Sequence, residues 1–149
     1  MGMASQLKLD KTYLEICEVW SRLSRAKRKK VGCIIVKGNT IISDGYNGTP
    51  SGFSNECEIR LDEFDENALM TKPEVLHAET NAITKLAKST QSSDGATMYI
   101  TIAPCFECSK LIIQSGISRV VYGSDYRDKK GITLLKQAKI EVKKYEYNK

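Results

Sequence analysis

The run HAETNAITKLAKSTQSSDGATMYITIAPCFEC, residues 77–108, decides how this chain folds. From Ala78 to Lys88 the apolar positions Ala78, Ala82, Ile83, Leu86 and Ala87 recur at helical spacing. Ser89–Gly95 is a polar loop. Ala96–Ala103 reads as a strand with Met98, Ile100 and Ile102 on one side, and it is apolar enough on both sides to be central in a sheet. Pro104 then opens a second helix, where its missing N–H costs nothing. Helix, strand and helix in succession predict an α/β domain.

Working outward, residues 9–26 carry Leu9, Tyr13, Ile16, Trp20 and Leu23 at intervals of three and four, the stripe of a helix packed on a core. That places Trp20 in the core, and Asp10 and Glu15 toward the helix start in line with its dipole. Val31–Val36 and Thr40–Ser43 are β-branched runs around Lys37-Gly38-Asn39, a hairpin signal. Asp44–Gly52, with three glycines and Pro50, reads as an exposed loop. Residues 53–74 are acidic and predict a solvated surface insertion, with Leu61, Phe64, Ala68 and Leu69 as one face of a short helix. Downstream, Leu111, Ile112 and Ser115 form the inner stripe of the second helix, and Gly116 follows its end. Arg119–Gly123 is a strand, Ile132–Ala138 a helix and Ile140–Tyr147 a last strand. The order α-β-β-α-β-α-β-α-β predicts one domain over residues 1–149. Its architecture is three-layer α-β-α around a five-stranded mixed sheet, with the last two strands parallel.

Composition narrows the setting. The chain has 149 residues, 41% of them hydrophobic, enough for one real core. No apolar run approaches the ~18 residues that span a bilayer. No secretory signal is visible, and Met1-Gly2 lacks the Ser or Thr at position 6 that myristoylation requires. The expected location is the cytoplasm, where the five cysteines stay free. Cys17, Cys33 and Cys57 read as small buried hydrophobes. The net charge of +5 gathers in Arg22, Arg25, Lys27, Arg28, Lys29 and Lys30, a cluster suited to a phosphate, to RNA, or simply to solvent.

His77 is the only histidine. With Cys105 and Cys108 it offers one nitrogen and two sulfurs to a metal. Three protein ligands leave a fourth tetrahedral position open, the mark of one catalytic zinc per chain rather than a structural one. Cys105 and Cys108 lie three apart in a first helical turn, where the dipole favours thiolates. Glu79, two residues past the histidine, stands where a proton carrier is needed. The spacing is His77-Ala78-Glu79, then 24 residues, then Pro104-Cys105-Phe106-Glu107-Cys108. This H-x-E…P-C-x-x-C order is the signature of zinc nucleobase deaminases.

Further motifs accompany it: Val31-Gly32, Gly45-Tyr46-Asn47-Gly48, His77-Ala78-Glu79-Thr80-Asn81-Ala82-Ile83, Ala96-Thr97-Met98-Tyr99 and Gln114-Ser115-Gly116-Ile117. On these the chain resembles the deoxycytidylate (dCMP) deaminases, particularly the phage type, within the cytidine deaminase superfamily. The resemblance implies a cytidine deaminase-like fold and conversion of dCMP to dUMP and ammonia for thymidylate synthesis. It implies zinc on His77, Cys105 and Cys108, with Glu79 as the proton shuttle. Carried over position by position, Asn47 would touch sugar or base, and Ser24 and Arg25 the 5′-phosphate. Ala78, Ala103 and Tyr126 would lie by the nucleotide. Members are often homohexamers activated by dCTP and inhibited by dTTP with magnesium (Mg2+). That implies an effector site near Gly45, Tyr46, Gly48 and Asn55. The acidic insertion lacks the extra His/Cys set that gives some phage relatives another zinc. No membrane or nucleic-acid partner is expected. The rival readings are a tRNA adenosine deaminase, which would use the basic cluster on RNA, and a non-catalytic nucleic-acid-binding module with structural zinc.

Overall fold

The computed structural model describes residues 3–146. Met1-Gly2 and Tyr147, the last residue of the expected final strand, lie outside the described residues. In chain order the elements are α1 (Met3–Ser21), β1 (Gly32–Lys37), β2 (Thr40–Tyr46), β3 (Glu58–Asp62), β4 (Asp65–Thr71) and α2 (Ala78–Leu86). There follow β5 (Thr97–Ile102), α3 (Phe106–Gln114), β6 (Arg119–Ser124), α4 (Lys130–Gln137) and β7 (Glu141–Lys144).

Five strands form one mixed sheet in the order β2-β1-β5-β6-β7. Gly38 and Asn39, at φ 55 and 62, make the tight turn that joins β1 to β2 antiparallel. β1 also pairs antiparallel with β5. β5, β6 and β7 are mutually parallel because helices α3 and α4 carry the chain back between them. Side chains alternate between two cores. Tyr13, Leu14 and Cys17 of α1 pack on Ile34, Val36, Tyr99 and Val121. Cys33, Ile35, Met98, Ile100, Val120 and Tyr122 face the other way, against Ala78 and Ala82 of α2, Ile112 of α3 and Leu135 of α4. The expected three layers and central β5 are present.

Several boundaries moved. α1 begins six residues earlier than expected and stops at Ser21, leaving 22–31 as a loop. Its inward face is Asp10, Tyr13, Leu14 and Cys17; Leu9, Ile16 and Trp20 are half-buried, and Leu23 is exposed. Asp10 is fully buried rather than a surface dipole partner. On α3 the inner residues are Cys108, Ser109 and Ile112, while Leu111 faces out. Pro104 lies just ahead of that helix, and Cys105 is its N-cap.

The largest departure is residues 53–74, which hold a β-hairpin, β3–β4, in place of the expected helix. Glu58-Ile59-Arg60-Leu61 alternates polar and apolar, the period of a strand. Two aspartates then turn the chain: Asp62 accepts from the Phe64 N–H and Asp65 from the Asn67 N–H, both at 2.9 Å. Such side-chain-to-backbone bonds compete with helix.

Candidate active site

The sheet brings four loops to one edge. β5 and β6 are parallel, so residues 103–105 and 125–127 leave them on the same side. β1 is antiparallel to β5 and β2 to β1, so the entry to β1 and the exit from β2 lie there too. Ligands of α/β sheets bind beyond the carboxyl ends of parallel strands. A cavity of about 450 Å³ opens at this edge, with Ile100 and Ile102 of β5 in its lining.

Two helix starts meet in it. The Gly48 and Leu76 backbones exchange hydrogen bonds of 3.1 and 2.8 Å, which fix the chain immediately before His77. His77 is the extended N-cap of α2, and Cys105 is the extended N-cap of α3. His77 Nδ1 lies 3.2 Å from Cys108 Sγ and 3.5 Å from Cys105 Sγ. All three ligand atoms fall within 4.8 Å of one another. Zn–N and Zn–S bonds at tetrahedral angles require N···S separations of about 3.5 Å, so this set fits zinc. The Cys108 N–H donates to Cys105 Sγ at 3.5 Å. Hydrogen bonding from Cys108 holds the Cys105 thiol down to about 4, well into the thiolate range. The Cys108 thiol moves the opposite way, raised by its contact with Cys105 and by burial. Thr80 Oγ1 lies 3.8 Å from Cys108 Sγ on its other side.

Glu79 is only 4% exposed and lines the same cavity. Burial pushes its carboxyl up to about 7, against the pull of His77. A carboxyl poised near neutrality can both take and release a proton.

Of the other expected residues, Asn47, Ala78, Ala103 and Tyr126 line this cavity. Asn47 also braces it: Oδ1 accepts from the Val31 N–H at 2.9 Å, and Nδ2 donates to the Lys29 carbonyl at 2.8 Å. Ser24 and Arg25 do not line it. Ser24 is buried, its Oγ donating to the Asn47 carbonyl and accepting from the Ala26 N–H, while Arg25 is exposed. The cations on the cavity are Arg28, Lys29 and Arg127. The Arg127 guanidinium sits 5.9 Å from the centre of the Tyr126 ring. Sequence reasoning marked the basic cluster and named Arg25 from it, whereas Arg28 and Lys29 are the members that line the cavity; nothing in it marked Arg127 or Glu58, which also lines the wall. Gly45, Tyr46 and Gly48 belong to a separate cavity of about 490 Å³ with Asn81, Lys85 and Lys88, and Asn55 lies on an exposed loop outside both.

Residues 7–124 match the cytidine and deoxycytidylate deaminase zinc-binding region. The chain is 35% identical to the deoxycytidylate deaminase of Enterobacteria phage T4, over 88% of this chain and 86% of that protein. It is 34% identical to the deoxycytidylate deaminase of Saccharomyces cerevisiae, over 93% of this chain but 45% of the yeast protein, so it spans less than half of that relative. Among solved structures, the dCMP deaminase of cyanophage S-TIM5 in complex with dCMP and dUMP superposes with a TM-score of 0.85. The two are 44% identical over 93% of this chain and 97% of that one.

Proposed function

This chain belongs to the cytidine and deoxycytidylate deaminase zinc-binding family, and on that footing we propose that it hydrolyses dCMP to dUMP and ammonia. The observation that carries the reading is a His77–Cys105–Cys108 cluster and a buried Glu79 in one cavity whose lining also holds Arg28, Lys29 and Arg127.

His77, Cys105 and Cys108 would hold a zinc ion, which would supply the Lewis acidity that lowers the pKa of a water to about 7. Glu79 takes one proton from the attacking water and passes it to the ring nitrogen as the water oxygen bonds to the amine-bearing carbon, then carries the remaining proton of the new hydroxyl to the amine as the C–N bond breaks and ammonia leaves. A single carboxyl serves all three transfers because burial sets it near neutrality. The half-buried Tyr126 offers its ring to the nucleotide. Arg28, Lys29 and Arg127 supply the charge that selects a 5′-phosphate. In this assignment they replace Ser24 and Arg25, and Asn47 acts by bracing the loop as well as by touching the ligand.

The further reading that dUMP feeds thymidylate synthesis follows from the product. The cavity on the far side of α2, with Tyr46, Gly48, Asn81, Lys85 and Lys88, supports control by a nucleoside triphosphate, dCTP as activator or dTTP with magnesium as inhibitor. A homohexamer remains part of the same proposal. No helix among the described residues is long and apolar enough to cross a membrane.

Ammonia release from dCMP, deoxycytidine, cytidine and dCTP tests the substrate, on protein with one zinc per chain by metal analysis. dCMP is expected to be turned over far faster than the rest. Cytidine turnover equal to that of dCMP would contradict the nucleotide-specific reading.

A further inference from the structure

The basic loop between α1 and β1 is held from outside by the β3–β4 hairpin. Glu58 Oε2 accepts the Lys27 N–H at 2.8 Å and the Arg28 N–H at 3.0 Å. Two successive amides on one oxygen form a small anion nest. Across the hairpin, Thr71 is the register partner of Glu58, so both side chains leave the same face. Thr71 Oγ1 accepts from Arg28 Nη1 at 3.2 Å. Among the described residues, every hydrogen bond that β3 and β4 make outside the hairpin goes to Lys27 or Arg28. Glu58, Thr71, Arg28 and Lys29 all line the cavity that holds Glu79.

We infer that Glu58 and Thr71 are positioning residues for recognition of the nucleotide's phosphate, clamping the 26–30 loop so that Arg28 and Lys29 face the cavity. The inference rests on the dCMP reading and deepens it. A loop with Lys27, Arg28, Lys29 and Lys30 in succession repels itself and has no reason to hold one conformation unaided. Asn47 fixes its far end through Lys29 and Val31, and Ser24 its near end through Ala26. Among the described residues, the middle is held only by the hairpin. A free carboxylate at this wall would repel a phosphate. Glu58 is not free: two amides of the loop it holds turn their positive ends onto its Oε2. The hairpin thereby has a use that its exposed, acidic sequence does not announce.

The test compares Glu58→Ala and Glu58→Gln with the unaltered protein, on dCMP and on deoxycytidine. Glu58→Ala should raise KM for dCMP about tenfold while kcat stays within about twofold, because positioning a phosphate-binding loop alters binding rather than chemistry. Glu58→Gln keeps an acceptor without its charge and should rescue part of the loss. The preference for dCMP over deoxycytidine should fall with the same order. Combining Glu58→Ala with Arg28→Ala should cost little more than Arg28→Ala alone, because both act through one group. An unchanged or lowered KM for dCMP, or an equal rise for both substrates, would overturn the inference. Should Glu58→Ala fail to fold, Glu58→Gln and the Thr71→Val variant carry the comparison. Failure of the substrate reading is visible separately, as absence of any dCMP preference in the unaltered protein. In that case amide hydrogen exchange at Lys27 and Arg28 decides the clamp, and no acceleration in Glu58→Ala would overturn it.

Discussion

Glu79 combines the burial of a core residue with a place beside the candidate metal ligands, where the proposed reaction needs a proton carrier. Its place in α2 puts the carboxyl beside the metal ligands yet leaves it outside the ligand set. Glu79→Gln keeps the shape and removes the exchangeable proton. The expected loss in kcat is roughly 10²–10⁴-fold, at least about 3 kcal/mol, with fold and zinc content retained. Ammonia release and metal analysis on the same sample check it; near-normal turnover at full zinc occupancy would contradict the assigned role. The cluster of His77, Cys105 and Cys108 and the carboxyl beside it were legible in the sequence because such sites depend on short spacings, two residues for His77 and Glu79, three for Cys105 and Cys108. Which cation lines the cavity was not. Ser24, Arg25 and Arg28 lie in one loop, and composition identifies the loop without telling which side chain turns inward. Arg25 is exposed and Arg28 lines the cavity. That choice is made by Glu58 and Thr71, thirty or more residues away, and no local pattern records it.

At the scale of elements, the active edge depends on how closely α2 lies against β2. Gly45 makes that approach possible: a Cβ there would overlap the Ala78 carbonyl and stand 2.7 Å from the Ala82 nitrogen. Next to it, the buried Ser43 hydroxyl donates to the Ala82 carbonyl at 2.6 Å. The glycine of the Gly-Tyr-Asn-Gly motif is therefore a packing requirement for the helix that carries His77 and Glu79, whatever the second cavity binds. Gly45→Ala should cost about 1–3 kcal/mol in stability through overpacking. It should also weaken zinc binding, because displaced α2 takes His77 away from the two sulfurs. Thermal unfolding and competition with a chelator measure the two effects. Unchanged zinc affinity alongside a lowered Tm would mean that α2 yields without moving its N-terminus. The same scale shows where patterning misleads. Strong periods, as in β5, read correctly; the insertion's four scattered apolar residues suggested a helix, and the Asx turns at Asp62 and Asp65 decided for a hairpin.

Across the whole molecule, α1 is bolted to the sheet by a charge the apolar stripe did not reveal. Asp10 is fully buried, and Arg119, 109 residues later, meets it with two hydrogen bonds of 2.9 and 2.8 Å. The Tyr99 hydroxyl donates to the same carboxylate at 2.7 Å, and Gln6 at 3.0 Å. Lys143 of β7 reaches it at 3.4 Å, so one aspartate ties α1 to three neighbouring strands. Burial alone would raise the Asp10 pKa, but the bonds from Arg119, Tyr99 and Gln6 outweigh it and hold the carboxyl down to about 2. An unfolded aspartate titrates near 3.9. Because the folded value is the lower one, the unfolded chain takes up the proton first. The contribution is complete above about pH 4 and is lost as pH falls toward 2, at up to about 1.4 kcal/mol per pH unit. Asp10→Asn abolishes the titration and takes from Arg119 its buried partner, leaving the exposed Glu141, 2.6 Å from Nε, as the remaining counter-charge, a loss of up to about 3 kcal/mol near neutrality. The Cys105 thiolate also protonates in acid, so the absolute stability of either protein falls for two reasons. The difference between them isolates Asp10. Urea unfolding of both proteins from pH 6 to pH 2 should show a gap that is constant above pH 4 and closes below it. A gap that stays constant to pH 2 would place the stabilisation in packing around α1 rather than in the charge of Asp10.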